Sequence, residues 1–150
     1  MAIDKDNNIN NLIDLFIKNS IFITEYESAD SIIKNKEHSY NLAKKISKQI
    51  NKTAEQLLST ELGLNEFSQL LNDKNLIIAS SAAEFLYPLY PEKCIQILKK
   101  YSQSLNNKLD SYKVDCMIEA FETRQKIFID QFKKLYNCED LDSLNRENDM

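Results

Sequence analysis

The side chains able to do chemistry are few: a single histidine, His38, the adjacent pair Ser80-Ser81, three cysteines, and two carboxylate groups at helical spacing. The carboxylates are Glu25, Glu27 and Asp30 in one place and Asp115, Glu119 and Glu122 in another. A serine beside a histidine suggests acyl transfer, in which the imidazole takes the hydroxyl proton. That chemistry lacks its frame here, because no G-x-S-x-G elbow exists and His38 falls at an expected helix start, where a capping or surface role suffices. Paired carboxylates can divide acid and base duties or hold a cation. A di-iron bundle would require Glu-x-x-His pairs, whereas Glu37 and His38 are adjacent and no second histidine follows. Zinc sites draw on four Cys or His ligands, commonly with a C-x-x-C pair, and none is present. The chain therefore reads as non-catalytic, with no metal and no cofactor.

Without a reaction to serve, Asp115, Glu119 and Glu122 have two readings. They form either a solvated helix face or an acidic stripe for a basic partner surface. Tyr112 lies one turn before them, and an amphipathic ring among charges suits an interface. Tyr112, Asp115, Glu119 and Glu122 are accordingly the expected partner-binding residues.

Composition narrows the fold. Gly63 is the only glycine, and Pro88 and Pro91 are the only prolines. Sheets joined by tight turns need glycine at positive φ, so a β-rich fold is disfavoured, and phosphate-binding loops with two or more glycines are excluded. A length of 150 residues with 43% hydrophobic and 28% charged side chains suits one soluble domain with one core. The expected layout is a single helical domain over 1–138 and a polar tail over 139–150. A net charge of -4 and a pI near 5.1 disfavour nucleic acid, whose phosphates recruit clustered Lys and Arg. No apolar run approaches the ~18 residues of a membrane span, and Met1 to Asp6 lacks a secretory pattern. A cytoplasmic location follows as the expectation, with Cys94, Cys116 and Cys138 as buried reduced thiols.

Apolar residues recurring at three and four predict helices throughout. The first spans Ile9 to Ile33, either continuous or divided near Asn19-Ser20. The second, Glu37 to Ser59, carries a stripe of Lys44, Lys45, Lys48 and Lys52 opposite its apolar face, and Gly63 is expected as its left-handed C-cap. A short third helix runs from Leu64 to Leu71. A fourth, Leu76 to Tyr87, is capped by Asp73 or Asn75 and holds the small residues Ala79 to Ala83, which suit the buried centre of the fold. Pro88 ends it, and Pro91-Glu92 starts a fifth. The sixth and longest, Lys108 to Tyr136, has the four-three spacing Val114, Ile118, Phe121, Gln125, Phe128, Phe132, Leu135.

The stretch Phe67-Ser68-Gln69-Leu70-Leu71-Asn72-Asp73, followed by Ile78 to Leu86, resembles a HEAT-type helical hairpin. Continued through Pro88-Leu89-Tyr90-Pro91-Glu92 to Leu98, it is similar to a family of small bacterial HEAT-like domains of uncharacterised function. Some such helical-repeat proteins act as immunity proteins for neighbouring toxins. No proline follows Asp73, and Ala79 stands where the repeat usually has arginine, so the Asp-Arg ladder of a long solenoid is missing. The resemblance implies an all-α, compact five-to-six-helix fold of antiparallel hairpins, a short right-handed solenoid or bundle. It also implies a protein partner, a basic toxin domain. Rival expectations are a scaffold or adaptor that self-associates through its long carboxyl-terminal helix, and a HEAT-like enzyme or DNA-lesion binder, which acidity disfavours.

Overall fold

A computed structural model of the chain describes residues 2–27 and 40–135. Among them it contains seven α-helices and one 3-10 turn, with no strand. The helices are α1 (Ala2–Glu27), α2 (Tyr40–Leu58), α3 (Glu61–Gln69), α4 (Leu76–Leu86), α5 (Pro91–Ser104), α6 (Lys108–Thr123) and α7 (Gln125–Leu135), with the 3-10 turn at Leu70–Asn72. The all-helical expectation is borne out. Successive helices pack on one another, and α1 closes the assembly by lying against α2, α3 and α4.

Packing explains that order. Ala79, Ala82 and Ala83 on α4 are buried with almost no side chain to keep neighbours away, so α4 takes the centre between α1 and α5. Phe16 of α1 is fully buried and meets Phe67 and Phe85 edge-on, with ring centroids 4.8 and 5.8 Å away. A second aromatic cluster forms where Tyr87 stacks on Phe121 at 4.6 Å and Phe128 stands edge-on to Phe121 at 5.1 Å.

The helix ends follow local chemistry. Asn75 caps α4 by accepting from the Ile77 amide at 2.9 Å, while Asp73 accepts from the Asn75 amide at 2.8 Å and fixes the preceding turn. Of the two candidates Asn75 is therefore the cap, and Asp73 shapes the turn before it. The Pro corner is tight because the Leu89 and Tyr90 amides both donate to the Leu86 carbonyl. Pro91 then opens α5, and Asn107 caps α6 through the Leu109 amide.

Three expectations are corrected. Gly63 is not a C-cap: it lies in the first turn of α3, whose N-cap is Thr60, with the Gly63 amide donating to Thr60 Oγ1 at 3.0 Å. Glycine is required there for space. A Cβ would collide with the Leu57 backbone carbonyl oxygen and approach Thr60 Oγ1 to 2.8 Å. Gly63→Ala is expected to destabilise the fold by about 1–3 kcal/mol despite alanine's better helix propensity, because a backbone carbonyl must move. Urea unfolding measures it, and a stabilised variant would show that the α2–α3 corner yields freely.

The second correction concerns the long helix, which is two. Arg124 (φ −118°, ψ 26°) leaves the helical region between α6 and α7, raising the helix count to seven. No Gly or Pro marks the break; it turns Phe128 and Phe132 back onto the core, and Gln125, placed in the apolar repeat, is exposed. The third is Cys116, which is exposed, whereas Cys94 is buried as expected. The first helix is continuous through Asn19-Ser20 as far as Glu27. His38, Asp30, Cys138, the ends expected at Ile33, Glu37 and Tyr136, and the tail over 139–150 lie outside the described residues.

Candidate functional site

Residues three and four apart on a helix share a face, and along α6 this brings Leu109, Tyr112, Cys116 and Glu119 into one outward row. Leu109 is 55% exposed and Tyr112 64%, unusual for side chains of their size. A side-chain hydrogen bond with Cys116 and the nearby charge of Glu119 hold the Tyr112 phenol above its ordinary pKa, so it stays neutral and able to donate.

The four expected partner-binding residues do not form a single stripe. Tyr112 and Glu119 face outward, but Asp115 turns towards α5, where it accepts from the buried Ser102 hydroxyl at 2.6 Å. Ser111 completes the link by donating to the Ser102 carbonyl at 3.1 Å. Asp115 thereby ties α5 to α6. Glu122 also leans towards α5, with Lys99 Nζ 3.4 Å away; both are exposed, so the pair adds at most about 1 kcal/mol.

A second constellation emerges only in three dimensions. Ser20, Thr24 and Glu27 stand at helical spacing on α1, and Ser81 and Glu84 do so on α4, so the two rows border a cavity of about 220 Å³ closed by Ser47 and Asn51 of α2. Thr24, Glu27, Ser81 and Glu84 also line an adjoining hollow of about 380 Å³, reached by Tyr101, Asp110 and Lys113. Neither Glu27 nor Glu84 has a hydrogen-bond or ion-pair partner among the described residues. Crowding by neighbouring protein, then the Glu27 carboxylate, pushes Glu84 up to about 7. Tyr101 is likewise raised, by burial first and then by Asp110 and Glu84. Ser20 is 1% exposed, and its hydroxyl has no hydrogen-bond partner among the described residues.

Of the residues singled out in sequence, Ser80 is buried and back-bonded to the Ile77 carbonyl at 3.1 Å, so it presents no free nucleophile. Ser81 and Glu27 enter the cavity. Glu25 remains exposed at the end of α1. Among the described residues no group of three His, Cys, Asp or Glu side chains is placed to hold a metal ion. No described helix is long and apolar enough to cross a membrane. The small-residue pattern of α4 points to packing and hides Glu84; the one carboxylate within Ala-Ser-Ser-Ala-Ala-Glu-Phe-Leu is the signal for it in the sequence.

The raised Glu84 pKa has a definite sign. The folded chain holds this proton more tightly than the unfolded chain, so stability should fall as pH rises from about 4.5 to about 7. Glu84 is solvent-accessible at the cavity mouth, and water screens part of the effect, leaving about 1 kcal/mol or less. Glu84→Gln is expected to remove that slope and raise Tm at pH 8, and identical pH profiles for the two chains would refute it.

Comparisons with protein-family models, characterised proteins and solved structures find no match to this chain.

Proposed function

We propose that this chain is a non-catalytic protein-binding protein, specifically a cytoplasmic immunity protein that neutralises a cognate bacterial toxin by covering a basic surface of it. The observation that carries the reading is the outward row of α6, where Leu109 and Tyr112 are exposed beside Glu119. Exposed apolar and aromatic area rimmed by charge is what a partner surface buries. Net charge adds long-range attraction for a basic partner. The resemblance of Phe67 to Leu98 to small HEAT-like domains supports the same reading.

The test is capture of the product of the adjacent gene, followed by co-expression in a growth assay; a neighbour that is not toxic, or toxicity that persists, defeats the proposal. Within it, reversing Asp115, Glu119 and Glu122 to lysine together should weaken partner binding at least tenfold at low salt, about 1.4 kcal/mol or more. The Glu119→Lys, Glu122→Lys double variant should account for most of that loss with only a small fall in Tm, from the exposed Lys99–Glu122 pair. Adding Asp115→Lys should lower Tm by breaking the Ser102 link. Unchanged affinity would remove α6 from the interface.

A second reading, self-association, is favoured by one observation: Ile127 and Leu135 on α7 are strongly exposed at a spacing of eight residues, on one helix face. Sedimentation across concentrations decides it, since a stable homodimer favours a scaffold role.

A further inference from the structure

We propose that the Glu27–Glu84 cavity is a binding site for an ammonium or guanidinium head group. Two helices bring two solvent-accessible carboxylates to the rim of one cavity, without a cationic partner among the described residues. Like charges so placed are costly unless a cation or proton joins them. The adjoining hollow offers Lys113, but Asp110 lies in the same hollow, so it brings no surplus of positive charge.

An independent observation is Ser20, which lines this cavity: its hydroxyl is almost wholly buried and has no hydrogen-bond partner among the described residues. An orphaned buried hydroxyl carries an uncompensated desolvation cost, which a polar group arriving from outside relieves. The remaining walls have matching chemistry. Thr24, Ser47, Ser81 and the Asn51 amide supply oxygen acceptors for several N–H donors, while Ile23, Ile50 and the Phe85 ring give an alkyl stem and a cationic face apolar surfaces to lie on. Size points the same way: about 220 Å³ lies below the ~300–1,000 Å³ of sites for larger cofactors and drug-sized ligands. A calcium ion, which takes roughly six to eight oxygens with several carboxylates, is poorly matched by two.

Ion exchange at Glu84 follows. Glu27 from α1, Tyr101, Asp110 and Lys113 from α5 and α6, and Tyr87 just beyond α4 are the ionisable groups that line hollows with it, and the α2 residues there, Ser47, Ile50, Asn51 and Leu58, are neutral. A bound organic cation therefore has to stabilise the ionised Glu84 carboxylate.

The site does not depend on the proposed protein-binding role. The test is a ¹³C NMR titration of the Glu84 side-chain carboxyl in the full-length chain, in sodium chloride and in ethylguanidinium or ethylammonium chloride at equal ionic strength. The titration midpoint is expected to fall by about one unit in the organic cation, a tenfold preference for the ionised site. In the Glu27→Gln chain the fall should shrink to less than half. Equal midpoints in sodium and in both organic cations overturn the proposal, as does an undiminished fall in Glu27→Gln. Parallel titrations with spermidine and with a short arginine-containing peptide separate a diffusible amine from a protein-borne side chain: a larger fall with either supports the site and assigns its source. Loss of partner capture would leave this result untouched, so the two proposals fail separately.

Discussion

Phe16→Ala is expected to destabilise the protein by about 3–5 kcal/mol, a large share of the total stability of about 5–15 kcal/mol of an ordinary domain. Phe16 is fully buried and touches aromatic rings from two other helices, Phe67 of α3 and Phe85 of α4. Truncation removes the transfer energy of the ring and leaves a cavity lined by side chains that already pack on one another. The edge-on geometry adds about 0.5–1.5 kcal/mol per aromatic pair beyond area burial. Urea unfolding followed by circular dichroism should show the midpoint falling sharply with an unchanged slope. A loss below about 1 kcal/mol would mean that α1 contributes little to the core and that its contacts with α3 and α4 are dispensable.

Tyr87 carries the other large effect, and two substitutions divide it. Its ring stacks on Phe121 and stands edge-on to Phe128, and its hydroxyl donates to the Phe121 backbone carbonyl at 2.9 Å. That carbonyl belongs to the last turn of α6, where helix termination leaves acceptors without intrahelical partners. The buried tyrosine therefore stabilises the break at Arg124 that redirects the chain into α7. Tyr87→Ala should cost about 3–5 kcal/mol through the lost ring. Tyr87→Phe should cost about 1–2 kcal/mol, since it keeps the stack and leaves the carbonyl unpaired. Hydrogen exchange adds a readout specific to the hydroxyl: in Tyr87→Phe the α7 amides should exchange faster while those of α4 hold. Uniform loss of protection would instead assign the whole effect to packing.

The helices were legible because each boundary has a local cause. Asn75, Asn107 and Pro91 act within a few residues of themselves, and their roles survive almost any tertiary context. Gly63 and Arg124 were misjudged for the opposite reason. The constraint on Gly63 is the Leu57 carbonyl of the preceding helix, and the break at Arg124 is held by Tyr87, which lies 34 residues from its acceptor Phe121. A four-three apolar repeat fits both a straight long helix and two helices bent around an aromatic cluster, because periodicity specifies a face and not the path of the axis.

The candidate sites divide in the same way. Tyr112 and Glu119 share an outward face because spacing along one helix places them together, whereas Asp115, at equally suitable spacing, is drawn to Ser102 of a neighbouring helix. The Glu27–Glu84 cavity joins carboxylates 57 residues apart in the chain, and neither has a local pattern that names the other.

By itself, then, the sequence determined the helical class, the Pro corner, the Asn75 cap as one of two candidates, and the lack of a glycine-rich phosphate loop, because these depend on residue type and short-range geometry. The tertiary structure alone decided which carboxylates are used internally, which are held together unpaired and which face outward. Those outcomes depend on what the neighbouring helix presents: Asp115 meets the Ser102 hydroxyl of α5, whereas Glu84 meets the Glu27 carboxylate of α1, although each sits on a regular helix.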